Sequence, residues 1–173
     1  MKVDINQISL ENAVEIVKWK SDPVLSDQIM SDYKIVTLAE VESWIKKNSC
    51  DPNQILNGIF LDLDGKKIII GVIRLMFINY ESLNAELGIY IGESKFQGLG
   101  LGKEALLLIV NLAFRKLKLR KIYLKVNTVN KRAIKLYKNI GFIEEGVLRE
   151  HYFNRLSVKY EDVVYLAIFN KVH

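Results

Sequence analysis

Chemistry in this chain concentrates first in Gln97-Gly98-Leu99-Gly100-Leu101-Gly102-Lys103. Three alternating glycines let a backbone approach a ligand closely and turn its N–H groups outward. A helix starting there adds a partial positive charge and unpaired donors, which together suit a phosphate or pyrophosphate. A triphosphate-binding P-loop wants Gly, four residues, then Gly-Lys and Ser or Thr. Here Glu104 follows Lys103, and Gln97 stands where the first glycine belongs. A dinucleotide fingerprint is met at Gly100, Gly102 and Ala105 but lacks its ribose-binding acid about 20 residues on. A glycine-rich turn without a ligand is the remaining plain reading. Cys50, His151 and His173 are isolated from one another, so no nucleophile–base pair can be read among them.

The elements around this loop follow from periodicity. Glu11–Lys20 is a short amphipathic helix ended by Asp22-Pro23, since a residue before proline avoids helical angles. Thr37 with Glu40 forms a capping box ahead of Val41, Trp44 and Ile45. Asp51-Pro52-Asn53 is a loop. Ile59–Leu63 and Ile68–Phe77 are strands around the hairpin turn Asp64-Gly65, and Ala85–Ile91 is a third after the polar turn Asn79–Asn84. Lys103–Lys116 is too long and apolar for a strand and reads as a buried helix. Ile122–Val126 is a strand, and Asn130–Asn139 a helix stopped by Gly141. Phe142–Phe169 offers two more strands. A strand–helix–strand crossover beside a meander gives a mixed α/β class with a largely antiparallel sheet.

Charge is distributed unevenly. Gln97–Ile140 holds eleven Lys or Arg against the single acid Glu104, a charge of +10 in a chain of net +5. A local basic segment in an otherwise mildly acidic chain suits a polyanionic ligand. The basic residues are not interleaved with stacking aromatics, which argues against nucleic acid. With 50% hydrophobic residues over 173 positions, one globular domain spanning 1–173 is expected. A single cysteine excludes an intramolecular disulfide and a multi-cysteine zinc site, and no metal is expected. The polar start and the lack of an apolar run of about 18 residues point to a cytoplasmic protein without a membrane partner.

Gln97-x-x-Gly100-x-Gly102 also fits the pattern Gln/Arg-x-x-Gly-x-Gly/Ala. Preceded by Ala85–Ile91 and followed by Asn130-x-x-Ala133-x-x-Leu136-Tyr137-x-x-x-Gly141-Phe142, it resembles the GNAT superfamily of N-acetyltransferases across most of the chain. The resemblance implies the GNAT fold, a mixed, mostly antiparallel sheet of about seven strands flanked by about four helices. It implies acetyl-CoA as co-substrate. The CoA pyrophosphate would lie on the amides of Gln97, Gly98, Leu99, Gly100, Leu101 and Gly102 and the turn from Lys103. The pantetheine arm would run along Ile89, Tyr90 and Ile91, with Asn130 facing it. Lys103, Lys131 and Lys135 would be available to the adenosine phosphates.

The implied reaction is direct acetyl transfer from the thioester to a primary amine, without a covalent enzyme intermediate. An alkylamine is mostly protonated near neutral pH, so a base must take its proton. By the resemblance, Glu86 is the candidate base acting through water, Tyr137 donates a proton to the leaving thiolate, and the amide of Tyr90 or Ile91 polarises the thioester oxygen. Trp19-Lys20-Ser21-Asp22-Pro23, with Met30–Lys34 and Gly146–Glu150, resembles ribosomal-protein (RimJ/RimL-like) and nucleotide-linked amino-sugar acetyltransferases. Asn154–Ser157 replaces the usual glycine turn of the tail. An amino sugar is the favoured acceptor; a peptide N-terminus, a polyamine and a catalytically silent CoA sensor are the alternatives. A polyamine wants an acidic groove, for which Asp22, Asp27 and Asp32 make a weak set. A homodimer is compatible with this reading.

Overall fold

The computed structural model describes residues 2–31 and 34–171; Asp32, Tyr33 and His173, used above, lie outside them. The chain opens with β1 (Val3–Gln7), a 3₁₀ turn at Leu10–Asn12 and α1 (Ala13–Lys20). α2 (Pro23–Gln28), α3 (Leu38–Ser49), β2 (Ile55–Leu63), β3 (Lys66–Asn79) and β4 (Asn84–Ile91) follow. The second half runs α4 (Leu101–Asn111), β5 (Lys121–Asn127), α5 (Lys131–Ile140), β6 (Ile143–Asn154) and β7 (Lys159–Phe169).

Seven strands form one sheet in the order β1-β2-β3-β4-β5-β7-β6. Only the β4–β5 contact is parallel; the other neighbours are antiparallel. One sheet face packs α4 and α5 through residues such as Ile73, Leu75, Leu106, Ile109 and Leu124. The other packs α1 and α3 through Ile16, Trp19, Val41, Ile45 and Val72. Strand residues alternate between these faces, so β3 gives Ile73 to one core and Val72 to the other.

Two elements depart from the sequence expectation. β1 was not anticipated; it is short, and its Val3 reaches the core only by pairing with Leu61 of β2. Asp22-Pro23 ends α1 as expected, but Asp22 then caps a new helix, accepting from the Val24 amide at 2.8 Å and the Leu25 amide at 3.3 Å. Proline at the first helical position needs no donor there. The described residues therefore carry five α-helices, in keeping with the expected mixed fold. The capping box is present: the Glu40 amide donates to Thr37 Oγ1 at 3.2 Å, and the Thr37 amide donates to Glu40 Oε2 at 2.8 Å. The long apolar helix starts at Leu101 and widens to a π turn over Leu112–Lys116. Gly141 closes α5 in the left-handed conformation, as its sequence position predicted.

Candidate functional site

A split in the sheet builds the site. β4 and β5 pair only through Asn84↔Lys121, Ala85↔Ile122 and Glu86↔Tyr123, and then separate. Beyond Glu86, β4 keeps its partner β3, while β5 keeps β7 along its full length. The Gly92 amide donates to Ile70 O at 2.9 Å, away from the split. The Tyr90 carbonyl likewise faces Gly71 of β3, whose hypothetical Cβ would sit 2.2 Å from it. Since strand amides alternate in direction, those of Ile89 and Ile91 face the opening. This exposes a short run of strand edge to an extended ligand, at the carboxyl end of parallel strands where open sheets bind ligands.

The glycine loop closes the head of the split. Gln97 folds back, its Nε2 donating to Ile91 O at 3.0 Å. The Gln97 amide is used by Ser94 O and the Lys103 amide by Gly100 O. Five consecutive amides, Gly98 through Gly102, have no hydrogen-bond partner among the described residues. Gly100, the residue before α4, has φ +83°, a left-handed angle that costs a glycine little. The five donors therefore gather at the positive end of an eleven-residue helix.

Cations surround that loop. Arg132, in the first turn of α5, has a guanidinium nitrogen 2.8 Å from where a Cβ on Gly98 would stand. Lys131 and Arg132 open α5 with no acid in its first turn, which is unfavourable for a helix dipole unless an anion compensates. Asn130 caps α5, its Oδ1 accepting from the Ala133 amide at 3.1 Å. Arg132 was missed in the sequence; the only signal was membership of the basic segment.

Tyr137 and Glu86 both border the resulting cleft of about 1150 Å³. Tyr137 packs in the α4–α5 core against Phe142, ring centres 5.7 Å apart. Burial pushes its phenol up to about 12. Glu86 shares the α1–α3 face of the sheet with its neighbour Tyr123 and is ion-paired to Lys125 at 3.2 Å. That partner was not foreseen. Burial works against the Lys125 charge, but the hydrogen bond and charge of Glu86 together with those of Tyr165 outweigh it and raise the amine. The two residues thus approach the split from opposite sides of the sheet.

Other candidates disperse. Cys50 is exposed at the end of α3, outside the cleft. His151 is an exposed residue on the cleft rim. Asp22 is spent on capping α2, and Asp27 accepts from Tyr152 Oη at 2.7 Å and the Leu156 amide at 3.2 Å. In the tail turn, Asn154 Oδ1 accepts from the Leu156 and Ser157 amides, replacing the glycine turn with a side-chain one. Trp19 is the core anchor that its size suggests. Its ring lies on Gly92, where any Cβ would be 2.1 Å from a ring carbon, and its Nε1 donates to Glu93 at 3.3 Å. α1 is thereby fixed to the end of β4. Among the described residues no cluster of three metal-ligating side chains exists, and no helix is long and apolar enough to cross a membrane.

A split parallel strand pair capped by a helix N-terminus rich in free amides is suited to an extended ligand with a phosphorylated end. The chain belongs to the GNAT family: the model described as an acetyltransferase (GNAT) domain matches residues 2–143. The spermidine N(1)-acetyltransferase of Vibrio cholerae is 38% identical over 104 residues, 60% of this chain and 58% of that protein. That of Escherichia coli K12 is 34% identical over 109 residues, 63% of this chain and 56% of that protein. The matched stretch thus spans under three fifths of these relatives. The crystal structure of the Vibrio cholerae spermidine N-acetyltransferase in complex with CoA and spermine superposes with a TM-score of 0.88 at 26% identity, covering 96% of this chain and 95% of that chain. By their names these relatives act on a polyamine, not on the ribosomal proteins or amino sugars to which Trp19–Pro23 was likened.

Proposed function

We propose that this chain is an acetyl-CoA-dependent N-acetyltransferase that passes an acetyl group to a primary amine by direct attack. The observation that carries the reading is the row of five unpaired amides at the head of the β4–β5 split, with Arg132 beside it. CoA has the matching shape and charge: a diphosphate for the amides and an amide-bearing arm for the strand edge at Ile89 and Ile91. Gln97 then acts as a strut holding the loop against Ile91, while Gly98 to Gly102 and Lys103 meet the phosphates. Asn130 orients α5, and so Arg132, through its Oδ1, and lines the cleft where the arm would pass.

In the reaction, the amine enters from the α1–α3 side and attacks the thioester carbon. The Ile91 amide, facing the split, donates to the developing oxyanion. Glu86 accepts the amine proton through a water, and Lys125 holds that carboxylate in place. Tyr137 presents its hydroxyl to the departing sulfur from the opposite side. Spermidine, the substrate in the names of the relatives, is the second reading for the acceptor. An amino sugar or a peptide N-terminus stands on the Trp19–Pro23 resemblance.

Calorimetry with CoA and thiol release from acetyl-CoA over amino sugars, polyamines and peptides test the reading together. Binding and turnover are expected. Tight binding without turnover on any amine would select a CoA sensor, and no binding at all would end the proposal.

A further inference from the structure

Two cations in the acceptor half of the cleft, Lys20 and Arg74, make no direct ion pair among the described residues. Arg74 on β3 stands opposite Gly88 of β4. The absence of a side chain there lets it lie across the strand, Nε only 3.3 Å from where a Gly88 Cβ would be. Lys20, at the end of α1, sits over the Trp44 ring at 4.5 Å. Burial, and after it the nearby Arg74, pulls the Lys20 ammonium below its usual value; burial likewise lowers Arg74. Tyr90 of β4 lines the same cleft and is an electrostatic neighbour of Arg74; its hydroxyl oxygen is buried with no hydrogen-bond partner.

Glu86 attracts Arg74 through space, less than burial disfavours its charge, and the neighbouring acids are already engaged elsewhere. Glu86 is paired with Lys125, and Asp27 is held by Tyr152 and the Leu156 amide. Two like charges and an orphaned hydroxyl in a half-buried cleft are each unfavourable alone. An oxyanion would satisfy all three, since guanidinium, ammonium and phenol are all donors. A polycation would meet repulsion at the same place.

We propose that Lys20, Arg74 and the Tyr90 hydroxyl form an anion-binding subsite in the acceptor half of the cleft, so that the amine acetylated here also carries a phosphate or carboxylate. The word acceptor rests on the acetyl-transfer reading; the anion site itself rests on the geometry alone.

The test is a titration of inorganic pyrophosphate into the CoA-saturated protein, where the glycine loop is already filled. Wild type is expected to bind it. Arg74→Gln and Lys20→Gln, each first checked to take CoA, should bind it at least about tenfold more weakly, and Arg74→Lys should recover part of the loss. Absence of a pyrophosphate signal, or one undiminished in Arg74→Gln, overturns the subsite while leaving acetyl transfer intact. Thiol release then separates the sources of the charge. O-phosphoethanolamine turning over best selects phosphate, and β-alanine best selects carboxylate. Either should beat ethanolamine by about tenfold in kcat/KM, with a KM that rises in Arg74→Gln while kcat holds. Spermidine as the best acceptor overturns the proposal. In a protein that took no CoA, acetyl transfer would fall, yet comparing pyrophosphate binding in wild type and Arg74→Gln would still judge the subsite, because Arg74 lies outside the glycine loop.

Discussion

Tyr137→Phe separates chemistry from architecture in one substitution. The ring sits in the core and keeps its packing as phenylalanine, so only the hydroxyl is lost. Burial lifts that phenol from 10.0 to about 12. At about pH 9 only about one molecule in a thousand is then ionised, so in the proposed role the group would hold its proton for the sulfur in nearly every turnover. A phenol this weakly acidic gives up its proton only to a thiolate that the same dry cleft has made more basic than usual. Removing a positioned proton donor costs about a hundredfold or more in turnover, while CoA affinity should stay within about threefold because the phosphates bind elsewhere. A linkage effect provides an independent check. The folded pKa lies above the unfolded one, so the contribution is fully present below about pH 10 and fades as pH rises towards 12. One pKa unit corresponds to about 1.4 kcal/mol, so between about pH 9 and about pH 11 wild type should lose about 1.4 kcal/mol more than Tyr137→Phe. Urea unfolding at the two pH values measures this, and thiol release measures turnover. Turnover within about threefold of wild type would remove Tyr137 from the mechanism. Equal alkaline losses in the two proteins would show that the phenol is not buried.

Gly100→Ala must hold φ +83° with a Cβ, at a cost of about 1–2 kcal/mol; CoA affinity measured by calorimetry should fall about tenfold, and an unchanged value would contradict the loop geometry. Glu86→Gln keeps the shape but cannot accept a proton, so kcat should drop about a hundredfold; a loss under about threefold would leave some other base to be found. Thr37→Ala breaks one arm of the capping box on α3, costing about 1 kcal/mol and lowering Tm by about 2–4 °C, with CoA binding retained. A scanning calorimeter that shows no change would mean the cap contributes nothing.

Local chemistry made much of this protein legible in its sequence. The Thr37–Glu40 cap, the Asp64-Gly65 hairpin, the Gly141 stop and the phosphate-ready loop each depend on residues a few positions apart, whose preferences act whatever the rest of the chain does. β1 and α2 escaped because their evidence is not local: Val3 needs Leu61 to pair with, and Asp22-Pro23 ends one helix and begins another with the same two residues. The charges of the cleft escaped for the same reason. Arg74, Gly88, Lys20 and Tyr90 come from two strands and a helix, and nothing in their spacing says that they meet. Residue order alone fixed which short segments can form and where the glycine-rich loop falls. The tertiary structure decided where β4 and β5 part, which side chains face that opening, and which of them lack a partner, because burial and Coulomb forces act between residues brought close by the fold, whatever their separation along the chain.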